Sequence, residues 1–309
     1  MKNHRNFWKS LLRLTFVTLA GALLLSGGLS SSGYAQNKSP KHVLVVTTTV
    51  GFRHSSIETA EKIIGTLAQQ SGAFTVEYAR LTPDAPEFKG ADGKTDKTKY
   101  EPAVKAVLAE KLSAAALKKY DAVIFANTTG DLPLPDPQAF VDWVKAGHGF
   151  VGVHSATDTF PGFAPYTEMI GGHFKTHGAQ VSVDIINQDK ECAACRHLPA
   201  TWTVFDEIYQ LKNFDRTKVH GLLTLDKHPN NGTPGDYPIA WLKEFGQGRV
   251  FYTSLGHRED VWEPNSPAQK GGIKNAPEVA LAYQQHLLGG IKWALGLEQS
   301  DAKPQSLKP

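Results

Sequence analysis

Three histidines and an aspartate, His154, Asp158, His173 and His177, fall within 24 residues of this 309-residue chain. Imidazole is the commonest protein metal ligand near neutral pH and also the readiest proton carrier. The group therefore admits a divalent metal such as zinc, a metal-free acid/base or sugar-binding cluster, or structural hydrogen bonding. His173-x-x-x-His177 would allow joint ligation on a helix. Gly171, Gly172 and Gly178 argue for a loop there, and no His-Glu-x-x-His pattern is present. Two more histidines stand in comparable polar turns, His54 in Gly51-Phe52-Arg53-His54 and His257 in Gly256-His257-Arg258-Glu259. Candidate metal ligands are His154, His177 and His257. Candidate catalytic groups are His154 and His257, with Asp158 or Glu259 orienting a histidine or taking a proton. Candidate substrate contacts are His54, Asn127, His173 and Trp262, the last in a proline-bearing loop after His257.

Parallel strands would deliver these residues together. Phe150 to Val153 is a short apolar run bounded by glycines and followed by His154-Ser155-Ala156-Thr157-Asp158. His42 to Thr48 is a similar run before His54, Tyr120 to Ala126 one before Asn127, and Arg249 to Ser254 one before His257. Helical patterns separate the first four strands. Ser55 with Glu58 reads as a capping box for a helix to about Gln70, Pro102 to Leu117 as a second helix, and Asp136-Pro137 as the start of a third that stops at Gly147. Such alternation means a parallel sheet covered on both faces, with ligands expected outside the carboxyl ends of its strands. Beyond Gln180 the strands Val181 to Ile186, Thr203 to Gln210, Val219 to Leu225 and Pro238 to Glu244 suggest a mixed or antiparallel extension of the same sheet. A helix over 276–295 closes the fold.

Gly152-Val153-His154-Ser155-Ala156 has the outline of a nucleophile elbow, but its central residue is His154, and Ser155 reads as a helix N-cap. In a strand, Asp206 and Glu207 point to opposite faces, so at most one can reach a given site and the pair is no glycosidase couple by itself. Cys192-Ala193-Ala194-Cys195 reads as a local disulfide in an exported chain; a zinc site with His197 is the weaker alternative.

Residues 1–35 combine Lys2, Arg5, Lys9 and Arg13 with an apolar segment from about Phe16 to Leu25 and small residues up to Ala35, the pattern of a secretory signal peptide. Export, to a periplasm or outside the cell, follows. Its removal takes away four basic and no acidic residues, so the formal charge of +3 becomes −1. A near-neutral mature chain has no electrostatic footprint for nucleic acid and no remaining membrane span, which leaves a small or neutral substrate as the expected partner. A polar leader at 36–41 precedes one domain at 42–297, and a polar tail occupies 298–309.

At Gly51 to His54, Tyr120 to Val123, Gly149 to Asp158, Gly171 to Phe174 with His177, Asp206 to Tyr209, Gly248 to Tyr252 with Gly256-His257, and Trp293 to Gly296, the chain resembles the ThuA-like family. That family is named for the trehalose utilisation protein and lies within the class I glutamine amidotransferase-like superfamily. The resemblance implies a flavodoxin-like three-layer α/β/α sandwich, here with a strand-rich C-terminal extension. It implies carbohydrate metabolism, on a disaccharide, keto-sugar or glycoside, by hydrolysis, elimination or isomerisation. Class I amidotransferases carry a cysteine at the elbow and His-x-Glu after a later strand. His257-Arg258-Glu259 resembles the second element, while His154 stands where the cysteine would be, so glutamine amidotransferase activity is not expected. A non-catalytic carbohydrate-binding module on the same rim is the alternative.

Overall fold

The computed structural model describes residues 39–267 and 272–305. The segment read as a signal peptide, the leader to residue 38 and the last four residues of the tail lie outside them. The chain runs β1 (Lys41–Val46), α1 (Ile57–Ser71), β2 (Phe74–Ala79), α2 (Lys97–Leu112), α3 (Ala114–Leu117), β3 (Ala122–Ala126), α4 (Pro137–Lys145), β4 (Gly149–Val153) and α5 (Ala164–Ile170). It continues through β5 (His173–His177), β6 (Val181–Asn187), β7 (Thr201–Asp206), β8 (Tyr209–Lys212), β9 (His220–Lys227), β10 (Pro234–Phe245), β11 (Gly248–Thr253), α6 (Glu259–Trp262) and α7 (Pro277–Ala294).

Nine strands form one sheet in the order β2-β1-β3-β4-β11-β10-β9-β6-β7, and β5 pairs with β8 in a separate ribbon. The first five are mutually parallel. The remainder extend the sheet antiparallel, as the change of pattern beyond residue 180 predicts. Alternation along β1 shows the layering: Val43 and Val45 enter one core with α1 and α7, whereas Leu44 and Val46 enter the other with α2, α4 and α5. Period-2 side chains buried on both faces account for the unbroken apolar strands.

Strand direction decides where the chemistry gathers. β11 runs with β4, β10 against β11, β9 against β10, β6 against β9 and β7 against β6, so β7 ends on the same rim as β4 and β11. The ends of β1, β3, β4, β7 and β11 therefore face one space.

Several local expectations need correction. α1 begins after Ser56, not at a Ser55 capping box, and Ser56 makes no side-chain cap; its hydroxyl donates to Gly256 O at 3.0 Å. The second helix starts five residues before Pro102, because Asp96 accepts from Thr98 N, and Ser113 then leaves helical geometry to cap α3. Ser155 caps nothing and lies inside a 3-10 turn, His154–Asp158. The span read as one strand, Thr203 to Gln210, divides into β7 and β8. Cys192 and Cys195 are free, buried thiols, so the expected disulfide is not formed. Asp189 accepting from Cys192 N and Asn187 donating to Cys195 O hold this turn without it. The hydrogen bond from Cys195 is the main cause that brings the Cys192 thiol down to about 7. His197 joins no site there; its Nε2 bonds Ala282 O. Among the described residues no helix is long and apolar enough to cross a membrane.

Gly289 lets α7 lie against that turn, since a Cβ there would fall inside contact distance of the Ala193 carbonyl. Gly289→Ala gains about 1 kcal/mol of helix propensity but must displace backbone. A net loss of about 1–3 kcal/mol is expected in urea unfolding.

His220 at the start of β9 bonds Asp189 Oδ2 through Nε2 and Lys303 O through Nδ1, each at 2.9 Å. Burial lowers its pKa, but those two partners and the Asp189 charge outweigh burial and raise it above 6.5. The same hydrogen bond draws Asp189 below 3.8. The pair stabilises the fold above the carboxylate range and up to pH 6.5, and the contribution is lost as pH rises through the elevated His220 pKa. Wild type should exceed His220→Gln in stability at pH 6, and the gap should narrow by pH 9 in paired denaturation curves.

Candidate functional site

At the tip of β4, His154 has φ 48°, in the left-handed region, at a conformational cost of order 1–3 kcal/mol for a residue with a side chain. Hydrogen bonds hold it there. Tyr252 Oη donates to His154 O at 2.7 Å, and His154 Nδ1 lies 2.8 Å from Ser254 O. A carbonyl can only accept, so Nδ1 carries the hydrogen and Nε2 presents its lone pair inward. That Nε2 is buried and has no hydrogen-bond partner among the described residues. The elbow outlined in the sequence is thus present, with an imidazole at its tip.

His54, from the β1–α1 loop, meets His154 edge to face with ring centroids 4.8 Å apart, and its Nδ1 lies 3.3 Å from Ser155 Oγ. His257 follows β11, its ring 5.2 Å from His54 and 5.3 Å from His154. Glu207 completes the group from the end of β7: Oε2 stands 3.2 Å from His257 Nδ1 and 3.7 Å from His154 Nε2. One ligand atom from each of His54, His154, Glu207 and His257 lies within 4.8 Å of all the others. Three imidazoles and one carboxylate form a donor set suited to zinc or another divalent ion. The His154 Nδ1–H bond to a carbonyl is the outer contact that orients a ligating imidazole.

Burial, reinforced by His257 and His177, lowers the His54 pKa to about 3, and burial pushes His154 well below its ordinary value. Both rings are neutral near pH 7, with lone pairs free. His257 differs: burial acts downward, but the Glu207 hydrogen bond and the Asp206, Glu207 and Glu259 charges together raise it.

The expected ligand set is thereby revised. His177 is 44% exposed and stands outside the four, its Nδ1 3.0 Å from Glu207 Oε1 and 2.9 Å from Gly178 O. The carbonyl fixes its hydrogen on Nδ1, so its Nε2 is the free nitrogen of a solvent-facing ring. The 173–177 segment is neither helix nor loop but strand β5, which sends its two histidines to opposite ends. His173 pairs in register with Lys212 and faces a separate cavity. Asp158 and Glu259 also lie outside the four-ligand group. Burial raises the half-buried Asp158 carboxyl, against a smaller opposing effect of Lys212. Glu259 Oε2 is buried without a hydrogen-bond partner among the described residues, and its charge helps to raise His257.

Asn127 and Trp262 serve the framework. Asn127, fully buried at φ 55°, donates to Ser56 Oγ at 2.7 Å and to Gly256 O at 3.0 Å. Trp262 offers no ligand face: it is fully buried against Tyr283 and its indole N–H donates to Gly256 O at 2.9 Å. Glu207 is the member the sequence does not single out. The alternation argument holds for its neighbour, since Asp206 turns away to accept from Gly256 N at 2.8 Å and Arg258 N at 3.2 Å. Burial raises Asp206 to about 6.

His257 is anchored one residue further on. Arg258 and Asp260, each 1% exposed, form a bidentate pair, both contacts 2.9 Å. Asn275 supplies two more donors to Asp260. Removing one member leaves the other charge buried and unpaired, so Asp260→Ala should cost about 3–5 kcal/mol. Chemical denaturation measures that loss, and a value near zero would show the pair to be dispensable.

Five segments thus converge on an imidazole-bearing elbow at the rim of a three-layer α/β protein. The chain belongs to the ThuA family, whose profile, described as trehalose utilisation, matches residues 42–276. Two solved structures share the fold: a ThuA-like protein from Parabacteroides merdae, 18% identical over 83% of this chain and 90% of its own, TM-score 0.57, and one from Bacteroides uniformis, 19% identical over 85% and 94%, TM-score 0.57. No curated protein matches the chain.

Proposed function

We propose that this is an exported, periplasmic or secreted ThuA-family protein that acts on a disaccharide, keto-sugar or glycoside at a divalent metal site formed by His54, His154, Glu207 and His257. The observation that carries the reading is the mutual approach of four ligand atoms from four separate segments, one of them the orphaned Nε2 of a strained histidine. Membership of a trehalose utilisation family supports a small carbohydrate as the substrate, and the basic, then apolar, then small-residue pattern of residues 1–35 supports export.

A bound divalent ion would supply Lewis-acid polarisation of a sugar carbonyl or hydroxyl. The chain's own groups do the rest. Ser254 O and the Tyr252 hydroxyl fix His154, and Ser155 Oγ steadies His54. His177, its Nδ1 3.0 Å from Glu207 Oε1 and its ring facing solvent, is placed to carry a proton through Nε2 between substrate and water. The sugar would enter on the side of His177 and Phe52, whose ring is 67% exposed beside His54. Hydrolysis, elimination and isomerisation can each use this pairing of an electrophile with a proton carrier.

Zinc titration of the purified mature protein should give one ion per chain and raise stability by about 2.7 kcal/mol at a free concentration a hundred times Kd. His154→Ala and Glu207→Ala should each abolish stoichiometric binding and turnover of any accepted sugar. Retention of one ion per chain by both variants would place the metal elsewhere, and turnover undiminished in both would remove the site from the reaction.

A further inference from the structure

A second site lies at the other end of β5. A cavity of about 540 Å³ opens between α5 and the β5–β8 ribbon; its lining includes three lysines, Lys212, Lys218 and Lys243, against two carboxylates, Glu168 and Asp215, with Thr167, His173 and Asn213. None of the four clustered ligands lines it, and the Phe174 and Tyr209 rings, 4.4 Å apart, stand along the ribbon between the two.

Lys243 is the unusual member. It projects from β10 and is only 7% exposed, and its ammonium donates to a single backbone carbonyl, that of Glu168. Its further contact is with the Phe245 ring, 5.8 Å away. An ammonium has three donors and a full charge. Among the described residues no carboxylate lies within 4 Å of it: the Glu168 side chain is exposed, and Asp215 pairs instead with Lys218 at 3.6 Å. Lys212 at the mouth likewise has no ion-pair partner among the described residues. His173, 7% exposed, is held neutral by burial and by Lys212, in that order, which leaves it fit to bond a hydroxyl. A buried cation with one hydrogen bond, no carboxylate within 4 Å among the described residues and only the more distant charges of Glu168 and Asp215 to offset it is costly without a closer counter-ion, and it stands beside a space large enough for a sugar-sized molecule. Burial, helped by Lys218, pushes the Lys243 pKa down, and the Glu168 and Asp215 charges offset that only in part.

We propose that this cavity binds the oxyanion group, carboxylate or phosphate, of a small polyhydroxylated molecule, with Lys243 as the buried counter-charge, Lys212 as the charge at the mouth, and His173, Thr167 and Asn213 as hydroxyl partners. The site is independent of the histidine cluster.

The test is calorimetric and thermal titration of the mature protein with sodium D-gluconate, inorganic phosphate and neutral D-glucose at constant ionic strength. Gluconate, phosphate or both should bind saturably and raise Tm, whereas glucose should not; which anion binds more tightly tells a carboxylate ligand from a phosphate one. Lys243→Met, which keeps the apolar stem, should weaken anion binding at least tenfold, yet should unfold without ligand at the same or a higher temperature than wild type. Lys212→Glu, at the surface, should also weaken binding at least tenfold, and His154→Ala should leave it unchanged. The proposal is overturned if no anion saturates, if glucose binds as well as gluconate, if either lysine variant binds like wild type, if Lys243→Met lowers the unliganded Tm, or if His154→Ala abolishes binding.

Discussion

The backbone of Gly256 ties the rim of the sheet together. Its N–H is taken by Asp206 from the end of β7, and its carbonyl accepts from Ser56 ahead of α1, Asn127 at the end of β3 and Trp262 in α6. A backbone carbonyl with three donors is saturated, and every one of these contacts is buried, where a hydrogen bond left unmade is expensive. Gly256 also has φ 118°, a conformation that side chains resist, and a Cβ would crowd Trp262 and the Tyr283 hydroxyl. The position of His257 follows from this constraint. The loop that bears it is pinned before it by the Gly256 contacts and after it by the Arg258–Asp260 pair.

Around that clamp, conformational strain and desolvation concentrate at the histidine cluster. His154 and Asn127 sit side by side at the ends of adjacent strands with left-handed backbone, and both are wholly buried. The strain turns each side chain away from its sheet face: Asn127 toward the clamp, His154 toward the cluster. Burial then keeps His54 and His154 uncharged while the carboxylates of β7 favour charge on His257. The proton affinity of a single ring type is therefore pushed in opposite directions within 6 Å, by environment alone.

The extension of the sheet has a definite structural use. Without the antiparallel run from β10 to β7, no strand would return to the rim carrying a carboxylate; with it, Asp206 and Glu207 arrive opposite β4 and β11. The β5–β8 ribbon departs from the same point and separates the histidine cluster from the lysine-lined cavity. One added set of strands thus supplies the acid side of one site and a wall of the other.

Local sequence determined much of this. Apolar runs ending in polar turns located the ends of β1, β3, β4 and β11, and with them His54, Asn127, His154 and His257 on one rim, because strand periodicity and parallel handedness are short-range properties. Asp136 and Pro137 marked the start of α4 for the same reason: a cap is a contact between neighbours in the chain. Only the tertiary structure decided the rest. Thr203 to Gln210 reads as one strand, and its break at Glu207 exists because β7 hydrogen-bonds β6 whereas β8 hydrogen-bonds β5, pairings set by distant segments. Glu207 reaches the histidines through that break. His173 and His177 share a strand but serve different spaces, and Trp262 faces the core although its loop looks exposed. Whether a large aromatic or a buried lysine meets protein or an open cavity depends on what packs opposite it, and that partner lies far away in the chain.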